Sequence, residues 1–92
     1  MNETELFKQA IAMYGKEAQL KMVIEEMAEL TQAICKSFRG ENNLDNLIEE
    51  IADVEIMLAQ LKIIYEIDES KVETWKGLKL FRLYTILCND NA

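Results

Sequence analysis

The sequence has 92 residues, 50% of them apolar and 29% charged, with a formal net charge of −7 and no histidine. One domain over residues 1–92 is the expectation, and a chain this short buries a small share of its surface, so helix pairing between copies would be a natural support. The acidic balance argues against sequence-independent binding of nucleic acid, and the missing histidine excludes histidine-based zinc sites and Ser or Cys triads that use it.

Proline is absent and glycine occurs only at Gly15, Gly40 and Gly77, so the elements read as helices throughout. The first runs from about Thr4 to Tyr14, with Asn2 or Thr4 as N-cap and Leu6, Phe7, Ala10, Ile11 and Tyr14 at helical spacing. Gly15 can end or kink it. The second, about Lys16 to Phe38, carries Leu20, Val23, Ile24, Met27, Leu30 and Ile34 on one face. A glycine cap at Gly40 and a polar turn through Asn43 follow. The third, about Leu44 to Glu66, has Asn43 as its expected N-cap and is the most apolar. Asp68 or Ser70 can cap a fourth, to about Leu87, and residues 89–92 read as a frayed polar end. The simplest architecture is all-α: a small antiparallel four-helix bundle subunit that oligomerises through helix packing. No apolar run approaches the ~20 residues of a membrane span. The N-terminal stretch carries acids and lacks the layout of a signal peptide, so a cytoplasmic location is expected. Cys35 and Cys88, far apart and without metal-type spacing, read as reduced, partly buried thiols.

Some carboxylates break the pattern. In the third helix Leu47, Val54, Met57 and Leu61 form a ladder of alternating three- and four-residue steps, and the missing rung is Glu50. Asp53 follows one turn on. In the second helix Met22, Glu26, Glu29 and Ala33 share a line beside the main apolar face. A single E-x-x-E on an acidic helix is usually a solvated face, and a buried acid could also pair with Lys21, Lys36 or Lys62. Two such pairs, one inside an apolar ladder and neither beside a basic residue, call for a neutralising cation. Oxygen ligands alone select Mg²⁺, Mn²⁺ or Ca²⁺ over Zn²⁺, and a di-iron carboxylate bundle would want Glu-x-x-His pairs.

Glu25-Glu26-Met27-Ala28-Glu29 and Glu50-Ile51-Ala52-Asp53, with the turn between them, resemble the paired E-E-x-x-E and E-x-x-D motifs of the MazG-like all-α nucleoside triphosphate pyrophosphohydrolases. The likeness spans roughly Tyr14 to Leu61 and extends more faintly to Lys79-x-x-Arg82. It implies hydrolysis of a (deoxy)nucleoside triphosphate to the monophosphate and pyrophosphate, in nucleotide-pool house-cleaning. It also implies Mg²⁺, with Mn²⁺ as a substitute, held by Glu26, Glu29, Glu50 and Asp53, and a homodimer or homotetramer that assembles the site. Beside it stand the residue-level expectations. Glu25 is a candidate base, although a solvent-facing role is the more ordinary one. Lys79 and Arg82 are candidates to hold the polyphosphate from a neighbouring subunit, or else they complement the helix dipole. Trp75, Phe38 and Tyr14 are candidate base-stacking surfaces, though each is more often core or interface. The rival reading is a non-catalytic helical dimer acting as an adaptor or regulator; a metal-storage or redox carboxylate bundle is a third.

Overall fold

A computed structural model describes residues 1–90. The chain is all-helical: α1 spans Glu3–Tyr14, α2 Lys16–Phe38, α3 Leu44–Ile64 and α4 Glu69–Asp90, with no strand among the described residues.

Local chemistry sets the ends. The Asn2 side chain accepts from the Glu5 N–H at 2.8 Å and so caps α1. Gly15, at φ 91°, donates its N–H to Ile11 and turns the chain into α2. Gly40, at φ 81°, lets the chain leave α2 while the Glu41 N–H reaches back to the Lys36 carbonyl. Asp68 accepts from both the N–H and the hydroxyl of Ser70, at 2.9 and 2.8 Å, at the start of α4. Asn43 departs from its expected role. It makes no side-chain cap on α3; its amide instead donates to the Ala33 carbonyl of α2 at 2.9 Å. The tertiary bond ties two helices together, which a local cap would not do. α3 ends two residues before the expected Glu66, and α4 continues past Leu87 to Asp90. Asn91 and Ala92, part of the end expected to fray, lie outside the described residues.

α2 and α3 form the main pair, and α1 packs on both. The buried apolar residues are Ile11 of α1, Val23 and Ala33 of α2, and Met57 and Ile64 of α3. Gln19 and Gln60 are buried with them and satisfy each other through a 2.7 Å amide hydrogen bond across the seam. The line of α2 that meets α3 is therefore Gln19, Val23, Glu26, Leu30 and Ala33. The broad apolar face read from the sequence divides in two: Val23 and Leu30 turn inward, while Ile24, Met27 and Ile34 stay exposed. Periodicity marks an apolar stripe wider than one partner helix covers.

α4 packs along none of the other helices and buries no residue, so the helices that pack together number three, not the expected four. The turn before it is held by the Ile67 N–H on the Lys62 carbonyl and by a 3.0 Å ion pair between Lys62 and Glu69. The molecule extends over 54 × 38 × 23 Å as a result. Among the described residues no helix is long and apolar enough to cross a membrane.

Candidate metal centre

The seam that buries Val23 and Met57 also carries acids. Glu26 and Glu29 come from the middle of α2 and Glu50 from the first half of α3, and oxygens of all three lie within 4.8 Å of one another. Glu26 and Glu50 are half-buried and Glu29 is exposed, so the group sits at the mouth of the seam and not sealed inside it. Asp53 is half-buried one turn beyond Glu50, outside this tight trio but close enough that its charge acts on both Glu26 and Glu50.

Two oxygens stand out. Glu26 Oε2 and Glu50 Oε2 are buried and have no hydrogen-bond partner. The other oxygen of Glu50 receives only a long bond, 3.4 Å, from the Asn46 amide. A buried acceptor without a donor is costly, and more so when it is a carboxylate. None of the ion pairs among the described residues involves Glu26, Glu29, Glu50 or Asp53; they join Lys21 to Glu17, Arg39 to Glu41, Lys62 to Glu69 and Lys76 to Glu73. Desolvation comes first in pushing the Glu26 and Glu50 carboxyls above their ordinary range, and the neighbouring charges of Glu29 and then Asp53 add to it.

Acids that are crowded, partly dry and unpaired are in the environment a bound cation relieves. The donor set is carboxylate oxygen alone, so hard divalent ions such as Mg²⁺ or Mn²⁺ suit it better than Zn²⁺. The residues present fit such an ion: Glu26, Glu29 and Glu50 as the cluster, with Asp53 beside it.

The other candidates fall elsewhere. Glu25 is exposed and borders a surface depression with Tyr14, Ala18, Gln19, Lys21 and Met22. Lys79 and Arg82 are exposed on α4, around a shallow hollow with Trp75, Leu78 and Phe81. Because α4 packs along neither α2 nor α3, neither cation belongs to the acidic cluster of its own chain. Phe38 is 85% exposed and Trp75 64%. Cys35 and Cys88 are unpaired and exposed, not partly buried as expected. The Gln19–Gln60 bridge escaped the sequence reading, since nothing local marks two glutamines 41 residues apart as partners. Their one signal is position: Gln19 precedes Val23 by four residues and Gln60 follows Met57 by three, so each continues a buried line. Compared with known protein families, with curated proteins and with solved structures, the chain matches none.

Proposed function

We propose that the chain is a Mg²⁺-dependent hydrolase of the MazG-like kind that cleaves a (deoxy)nucleoside triphosphate to the monophosphate and pyrophosphate. The observation that carries the reading is the trio Glu26, Glu29 and Glu50 within 4.8 Å, with two buried oxygens that no protein group satisfies. The motif resemblance at the same residues supplies the substrate class. The reading takes α2 and α3 as an antiparallel pair. Asn43 to Ala33, Glu50 to Glu26 and Gln60 to Gln19 support this, since they step in opposite directions along the two helices.

A triphosphate and a chain of net charge −7 repel each other, so the carboxylates alone would turn the substrate away. Glu26, Glu29 and Glu50, with Asp53 beside them, would hold a divalent ion, which would supply Lewis-acid stabilisation of phosphoryl transfer. The protein's own part is positional. α2 and α3 hold the acids on two rigid helices, and the packing of Val23 and Met57 beside them fixes the helices' separation. The exposed side of Glu29 leaves the cluster open to ligand. Glu25, one residue from Glu26 and in solvent, is the candidate to accept a proton from the attacking water at its carboxylate. Lys79 and Arg82 would hold phosphate oxygens of a substrate bound to a neighbouring copy, within a homodimer or homotetramer. Nucleotide-pool house-cleaning in the cytoplasm is the role that follows.

The non-catalytic reading, a helical adaptor or regulator, draws on the exposed apolar surface of α4. One experiment separates them: incubate the protein with a panel of (d)NTPs and Mg²⁺, and measure pyrophosphate release and the Mg²⁺-dependent melting temperature. Pyrophosphate with at least one nucleotide, and a melting temperature that rises with Mg²⁺, are expected. Absence of both would overturn the hydrolase and leave the adaptor.

A further inference from the structure

Helix α4 is built for burial and has nothing over it. From Leu78 to Cys88 eight of the eleven residues are apolar, and they point in all directions around the helix. A helix apolar all round belongs inside an assembly, and a 22-residue helix that packs along no other helix is marginal in water. Yet Phe81 is 70% exposed and Tyr84 65%.

The exposed area has a scale. A compact monomer of 10.7 kDa exposes roughly 5,500 Å², whereas this chain exposes 7432 Å². The excess, roughly 1,900 Å² per chain, falls in the range of an obligate homodimer, where each partner gives up about 1,000–2,500 Å².

A receptor of the right chemistry lies on the packed helices. Between α1 and α3 runs an open groove of about 720 Å³, lined by Leu6, Phe7, Ala10, Met13, Tyr14 and Ile56. The hollow that adjoins it shares Phe7 and Ile56 and carries two acids, Glu3 and Glu55. Neither acid is in an ion pair among the described residues. The Leu78–Cys88 stretch has the complementary charge: it carries Lys79 and Arg82 and no acid. The same chain thus carries a basic apolar helix without cover and an acid-edged apolar groove without an occupant.

We propose that α4 is an exchange arm: the α4 of one copy docks its Leu78–Cys88 stretch into the α1–α3 groove of a second copy, and the second copy reciprocates. The leucines and Phe81 fill the groove, and its acidic edge attracts the positively charged arm. The proposal rests on burial, area and charge and does not depend on the hydrolase reading.

The test uses the full chain in analytical ultracentrifugation, with circular dichroism to follow helix content. Phe81→Glu spoils the arm and Met13→Glu spoils the groove; Met13 is 78% exposed, so neither substitution disturbs the buried core. Wild type sediments as a dimer or larger. Each variant alone weakens self-association at least about 100-fold, the loss typical of a central contact broken in two symmetric places. An equimolar mixture of the two associates again, because the intact arm of one fits the intact groove of the other. A monomeric wild type, a variant that associates like wild type, or a mixture that stays monomeric would each overturn the exchange. If either variant loses its helix content, Leu83→Glu for the arm and Leu6→Glu for the groove repeat the experiment.

Discussion

In the seam between α2 and α3, carboxylates stand where apolar side chains would pack; along α4, leucines and aromatics stand where charges would. Both regions leave something unsatisfied, in opposite senses. Glu26 and Glu50 hold buried oxygens with no donor, a cost that the proposed cation would relieve. Phe81 and Tyr84 hold apolar surface in water, and α4 calls for a protein surface. The contrast teaches that one small helical chain can be incomplete by charge in one place and by area in another. On the two proposals, the deficits respond to different conditions: the first to metal and pH, the second to protein concentration.

The largest effect should come from the seam. Glu50→Gln keeps the shape and removes the charge of a proposed ligand, and turnover should fall at least about 100-fold with helix content unchanged. Full activity in a pyrophosphate assay would detach the acids from function. Val23→Ala and Leu83→Ala set the two regions side by side. Val23 is 5% exposed within the seam, so its truncation should cost about 2 kcal/mol in denaturant melts at any protein concentration. Leu83→Ala should destabilise a concentrated sample and match wild type once both are diluted to monomer. Equal behaviour of the two variants on dilution would erase the distinction between core and arm. Gln60→Leu strands the Gln19 amide and should cost about 1.5 kcal/mol, while Gln19→Leu together with Gln60→Leu should recover most of it.

Metal and pH sharpen the seam further. Glu26 and Glu50 are raised above the ordinary value of 4.5, so above that value the fold binds more protons than the unfolded chain. Their contribution to stability is present below 4.5 and is lost as pH rises through the raised values. The melting temperature of the protein in EDTA should therefore carry a downward component across that window. Glu50→Gln should flatten it and raise the metal-free melting temperature at neutral pH, and Mg²⁺ should offset it in the wild type. A drop for Glu50→Gln in EDTA would instead point to a cation partner within the protein. The smallest effect lies in α4. Gly77 has open space around it and a helical backbone, so Gly77→Ala should firm the helix by about 0.7 kcal/mol, read from the circular dichroism of a melt.

Legibility in the sequence followed the range of the forces involved. The turns at Gly15 and Gly40 and the caps at Asn2 and Asp68 act over a few residues, and each helix lies within about three residues of its expected ends. Glu50 was legible because it interrupts a ladder, and Glu26 and Glu29 because they repeat its spacing; the structure brings these three together and sets Asp53 just outside. Asn43 was not legible, because its competing partner, the Ala33 carbonyl, lies on another helix.

By itself, then, the sequence determined the number of helices, their places in the chain and the acids out of pattern with their neighbours, since propensity, capping and periodicity are properties of adjacent residues. Only the tertiary structure decided which stripe of α2 turns inward, that Gln19 and Gln60 bridge the seam, that two glutamate oxygens are buried without donors, and that α4 stands apart. The physical reason is that periodicity shows how much of a helix is apolar, whereas the partner available on each side decides how much of it is covered.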